Sequence, residues 1–260
     1  MQVGMFQNTR TLSAMLLVAG LVAVSLFATP WRALAQDHSA AHDHAGMSMP
    51  MDDQPLDPAA QAKLLADRRE SEFNHRLAGL LVFLAGIFIL FEDRLKSRWP
   101  LTRYAWPMCF LLSGLFVFIF SDTELWPFGP KNWWNGVFGN LEVLQHKTFA
   151  LLLLGVGIIE LRRAAGILRA VWSAWVFPVL AFGGSVLLLF HVHGGNMHGP
   201  DAMTTMEHIQ MQHFSYAAAG AGIAVSKGLS DTPLRGRAIF RVLWPLLMMV
   251  LGALLMTYTE

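Results

Sequence analysis

Ten histidines punctuate this 260-residue chain, and methionines accompany many of them. The densest stretch holds His191, His193, Met197, His198, Met203, Met206, His208, Met211 and His213. A second run holds His38, His42 and His44, followed by Met47, Met49 and Met51. Imidazole suits copper, zinc, iron and nickel, whereas thioether sulfur selects Cu(I). Together they suit copper better than other common metals, so the expected ligand is a copper ion, Cu(I) or Cu(II). His75 and His146 extend the set. Glu72 precedes His75 by three residues and Glu142 precedes His146 by four, spacings that put acid and imidazole on one helical face. Such an acid either fixes the imidazole tautomer or serves as a ligand itself.

Other chemistries fit the same residues less well. A Glu-x-x-His pair occurs in di-iron bundles, but those sites draw further carboxylates from facing helices. Here only Glu207 and Asp122 offer themselves. A b-type haem held by two of His75, His146, His191 and His213 is the main alternative, because haem needs axial ligands from facing helices. His208 and Met211, three apart, share a helical face. His208 and His213 are five apart and meet at one ion only if a helix starts between them. The 38–51 run reads either as a copper-collecting tail or as a solvated segment with adventitious affinity.

The elements that position these residues are membrane helices. The chain is 54% hydrophobic and 14% charged, with its apolar residues gathered in blocks that approach the roughly 20 residues a bilayer requires. Spans are expected at about 74–91, 104–121, 143–161, 171–191, 213–229 and 240–258. Arg94, Lys96, Arg98 and Arg103 fall between the first and second spans. Arg162, Arg163 and Arg169 fall between the third and fourth, and Lys227, Arg235, Arg237 and Arg241 between the fifth and sixth. The connections 122–142 and 192–212 hold only Lys131. The positive-inside rule therefore puts all ten histidines on the non-cytoplasmic side. Arg10, the apolar residues 12–28 and the Ala33-Leu34-Ala35 site before Gln36 read as a cleavable signal peptide, with an uncleaved first helix as the alternative.

The predicted organisation is a signal peptide over 1–35, a flexible His- and Met-rich periplasmic tail over 36–71, and an all-α polytopic bundle of about six transmembrane helices over 72–260. Within the tail, 58–70 has the pattern of an amphipathic helix lying on the membrane surface. The fifth span is rich in small residues, from Ala217 to Gly222, which lets helices approach closely in lipid. Trp126, Trp133 and Trp134 fit an interfacial aromatic belt. Glu92 and Glu160, at the cytoplasmic ends, are expected to pair with Arg94 and Arg162. The single cysteine, Cys109, excludes an intrachain disulfide and Cys-based zinc or iron–sulfur sites. No Walker motif or nucleophile elbow appears, so the chain reads as a binding protein and not an enzyme. The bilayer is its first partner. A periplasmic copper chaperone or another membrane protein is the second kind expected, an accessory subunit delivering metal to another membrane enzyme is a further reading of the chain, and nothing points to nucleic acid.

Three stretches carry a family resemblance: Ser71 to Gly79 around His75, Leu144 to Thr148 around His146, and Phe190 to His213, including His193, Met197, His198 and Pro200. In these the chain resembles the copper-resistance protein D type of bacterial inner-membrane protein, over most of residues 71–230. The resemblance implies periplasm-facing His and Met sites and a role in copper uptake or tolerance. The chain has fewer spans than the larger members.

Overall fold

Asp57 opens the first helix. Its carboxylate accepts from the Ala59 amide, and Pro58 occupies the first turn, where a missing N–H costs nothing. The computed structural model describes residues 57–191, 202–232 and 237–259. All regular structure in them is helical, apart from one isolated bridge between Leu125 and Lys131. The helices are α1 (Pro58–Leu90), α2 (Glu92–Arg98), α3 (Ala105–Phe120), α4 (Trp133–Phe138), α5 (Leu141–Ala164), α6 (Ser173–Leu189), α7 (Ala202–Ser230) and α8 (Arg237–Met256).

Six of these pack in chain order and close on themselves. Helix α1 lies on α3, α3 on α5, α5 on α6, α6 on α7, α7 on α8, and α8 returns to α1. All six send residues into one core: Val82 and Ala85, Trp106 and Phe110, Val156, Phe177, Ile223, Trp244 and Met248. Trp106, Phe110, Phe177 and Trp244 form an aromatic quartet with edge-to-face contacts and ring centroids 5.6–6.3 Å apart. Outward positions such as Leu112, Leu151, Val179 and Val250 are exposed and apolar, as lipid-facing residues would be.

Among the described residues, four stretches are long and apolar enough to cross a bilayer: Gln61–Leu90, Pro100–Phe120, Leu141–Ala164 and Arg237–Met256. Helix α6 is apolar but has 17 residues, and the 29-residue α7 is more polar. The six spans read from the sequence thus reduce to four by length and composition.

Two helix starts differ from the sequence reading. Helix α1 begins at Pro58 and runs 33 residues without a break, so 58–70 continues the span and is not a separate surface helix. Ion pairs one turn apart, Arg68–Glu72 and Arg76–Glu72, carry the helix through the polar stretch. Helix α7 begins at Ala202, not at His213. His208 and His213 therefore share a helix and point about 140° apart. The 1–35 signal peptide and residues 36–56 of the 36–71 tail lie outside the described residues.

At the end opposite the histidines, a cavity of about 450 Å³ is lined by Glu92, Trp106, Glu160, Arg163, Arg169 and Lys227, among others. Glu160 pairs with Arg163 at 2.7 Å and not with Arg162. Lys227 is buried, pairs with Asp231 at 2.6 Å and lies over the Trp244 ring. No ion pair joins Glu92 to Arg94 among the described residues. Glu92 instead faces this cavity, and burial pushes its carboxyl above the usual range.

Candidate metal centre

Four imidazoles from four helices meet at one end of the bundle. The ring of His146 lies 5.3 Å from that of His191, His191 lies 4.9 Å from His213, and His213 lies 6.4 Å from His75. They belong to the start of α5, the end of α6, the middle of α7 and the middle of α1. Up-and-down packing delivers them to one level because His146 opens its helix and His191 closes the next. His75 and His213 reach that level from within longer helices.

Each imidazole has its Nδ1 fixed on oxygen. His75 Nδ1 lies 2.8 Å from the Ser71 carbonyl and His213 Nδ1 2.9 Å from the Ile209 carbonyl, both one turn back on their own helices. A carbonyl only accepts, so Nδ1 carries the proton in both rings. His191 Nδ1 lies 2.7 Å from Gln145 Oε1. The amide orientation follows from its other end, where Gln145 Nε2 donates to the Phe190 carbonyl at 2.8 Å. His146 Nδ1 donates to Asp122 Oδ1 at 3.2 Å. In a neutral ring held in this way the lone pair lies on Nε2. This is the arrangement of metal-ligating histidines, whose second nitrogen is held by a carbonyl or carboxylate.

The charges nearby are balanced. Asp122, just past α3, is nearly buried and accepts from His146, from Lys147 Nζ at 2.9 Å and from Ser121 Oγ at 2.5 Å. Burial alone would raise its carboxyl, but the His146 contact, Ser121 and Lys147 outweigh that and hold it down at about 2. Lys147 is itself buried and also donates to the Phe118 carbonyl and to Ser121, with the rings of Phe118 and Trp133 beneath its ammonium. Glu72 is matched by Arg76 at 2.8 Å and Arg68 at 3.4 Å.

Tyr258, beyond the end of α8, completes the wall. It is fully buried and stacks on His75 at 3.9 Å, with the His213 ring 6.2 Å away. Among the described residues, no three His, Cys, Asp or Glu side chains close on a single point. The arrangement is a row of neighbouring imidazoles.

The other sequence candidates fall elsewhere. His208 is exposed and its Nε2 lies 3.3 Å from Thr259 Oγ1, and Met211 is 66% exposed, so both face away from the row. Met206 stands two turns before His213, on the stripe of α7 that buries Ile209. Met203 lies on α7, but its side chain is not among those described. His193, Met197 and His198 lie outside the described residues, as do His38, His42, His44, Met47, Met49 and Met51. Trp126 and Trp134 are exposed, whereas Trp133 is turned inward, its indole N–H donating to the Trp126 carbonyl at 2.6 Å. Sequence reasoning missed Gln145, Lys147 and Tyr258. Lys147 had a signal, being a lone cation inside an apolar block on the histidine side. Gln145 and Tyr258 act through partners remote in sequence.

The chain matches no protein-family profile, no curated protein and no solved structure.

Proposed function

We propose that the protein is a membrane copper-binding protein that takes copper at the imidazole row of His75, His146, His191 and His213. The observation that carries this reading is the row itself: four rings brought together by four helices, each with Nδ1 held on oxygen. On this reading all six long helices cross the bilayer, α6 and α7 included, and the arginine-rich connections lie inside. The row then faces the periplasm. The exported tail, with His38, His42, His44, Met47, Met49 and Met51, collects copper and passes it inward, and His193, Met197 and His198 belong to the same route. The resemblance to copper-resistance protein D points the same way. A periplasmic chaperone or a neighbouring membrane protein is the partner for exchange, and Trp126 and Trp134 offer it an exposed aromatic surface.

A b-type haem between His75 and His213 is the second reading, because their 6.4 Å separation is near that of two axial imidazoles on one iron. Tyr258 stacks on His75 and lies 6.2 Å from His213.

The test is metal content and an absorption spectrum on one sample of protein purified from copper-supplemented cells. About one copper per bundle with no Soret band is expected, falling at least tenfold in occupancy when His146 and His191 are both changed to Ala. A folded His146→Ala/His191→Ala variant with its full copper load would overturn the site. A Soret band would make the protein a cytochrome.

A further inference from the structure

We infer that the cavity at the end opposite the histidines binds a phosphate group, carried by an anionic lipid or by a soluble phosphate ester. Its volume of about 450 Å³ lies within the roughly 300–1,000 Å³ typical of small-molecule sites. Three cations stand in its wall: Arg163 at the end of α5, Arg169 in the loop that follows, and Lys227 near the end of α7. The loop is built to hold Arg169 there. Gly166, at φ 72°, turns the chain out of α5, and the amides of Ile167 and Leu168 close on the Arg162 carbonyl at 3.0 and 3.1 Å. Arg169 Nε then donates to the Gly166 carbonyl at 2.9 Å, which leaves the terminal nitrogens of the guanidinium as its other donors.

The charges decide which sign of ligand fits. Glu160 is matched by Arg163 at 2.7 Å, and Lys227 is matched by Asp231 at 2.6 Å. Arg169 has no carboxylate partner among the described residues. Glu92 is the remaining carboxylate of the wall, and burial disfavours its charged form. Ser173 and Ala174 begin the 17-residue α6 and line the same wall, so the positive end of a helix adds to the guanidinium. The charge left over for a ligand is therefore positive. A planar guanidinium grips phosphate oxygens two at a time, which favours phosphate over a spherical anion. The same loop favours a lipid as its carrier. Leu168 and Val171 line the cavity, and Ile167, Val171 and Trp172 are exposed beside it. An apolar rim next to a cationic cavity suits a headgroup whose chains stay in the bilayer. On the orientation proposed above this end faces the cytoplasmic leaflet, where basic pockets between membrane helices take anionic headgroups.

The experiment uses the full-length protein, stripped of lipid in a maltoside detergent. Dioctanoyl phosphatidic acid, dioctanoylglycerol and glycerol 3-phosphate are titrated separately, read by native mass spectrometry and by melting temperature. Phosphatidic acid should bind roughly tenfold or more tightly than dioctanoylglycerol, which has the same chains and no phosphate. Arg169→Gln should weaken that binding about tenfold, the effect of losing one hydrogen bond to a charged group, and Arg169→Lys should restore part of it. Glu92→Gln removes a negative charge from the wall and should tighten binding, a direction that damage to the fold would not produce. Tight binding of phosphatidic acid alone supports the site with a lipid as its ligand. Glycerol 3-phosphate binding as tightly supports the site with a soluble ester as its ligand. Equal affinity for dioctanoylglycerol, or an unchanged affinity in folded Arg169→Gln, would overturn the phosphate site and leave the copper site untouched.

Discussion

Each imidazole of the row has its Nδ1 anchored on oxygen. Gln145 shows this best, since one amide both orients His191 and caps the Phe190 carbonyl at the end of α6. Gln145→Leu removes both bonds in a buried place and should lower stability by about 1–3 kcal/mol. By freeing the His191 ring it should also weaken copper binding roughly 10-fold to 100-fold. Thermal unfolding in detergent and a chelator competition read the two effects separately, and an unchanged affinity would show that His191 needs no anchor. Asp122 gives a pH signature. Its carboxyl is held below the ordinary 3.8, at about 2. The stability it contributes is therefore complete above pH 4 and is lost as pH falls toward 2. The step amounts to about 2 kcal/mol. An acid-unfolding series should show this step, and Asp122→Asn should lack it. The four histidines themselves were legible in the sequence, because each sits where an apolar block meets a polar stretch. Their supports were not. His191 and Gln145 are 46 residues apart and His146 and Asp122 are 24 apart, so only the packed helices reveal the pairs.

Helices that end beside the row are closed by their neighbours. The last carbonyls of a helix have no partner within it and need one from outside. Asn74 of α1 donates to Phe120 and Lys147 of α5 to Phe118, at the end of α3. Gln145 of α5 closes α6. Arg76 of α1 and Gln212 of α7 reach Tyr258 and Thr259 after α8. Hydropathy located these elements but misjudged where two begin. Helix α1 continues back to Pro58 because Asp57 caps it and ion pairs sustain it, and an apolar window sees neither. The small residues of α7 do mark a packed face, with Ala217, Ala219 and Ala224 buried. The closest backbone approach nevertheless includes α1 against α8. A side chain on Gly252 would start 2.6 Å from the Gly79 carbonyl, and one on Gly79 would start 2.7 Å from the Gly252 carbonyl. Gly252→Ala must push the two helices apart and should cost about 1–3 kcal/mol. A melting temperature equal to that of the parent would show that the pair can slide without loss.

The described helical bundle is polarised along its axis. The imidazole row and its balanced charges occupy one end, and the aromatic quartet lies between the row and the charged cavity at the other. The difference between the ends was legible, since the arginines and lysines of the connections, Lys131 apart, are grouped away from the histidines. The ring was not, because no local pattern tells α8 to find α1. That closure has a consequence for how the protein is made. Until α8 emerges from the ribosome, α1 has its Gly79 and Gly86 flank without its partner. During synthesis this glycine groove is left uncovered. Helix α8 therefore completes α1, and chains cut short before α8 are left with an open seam along that helix.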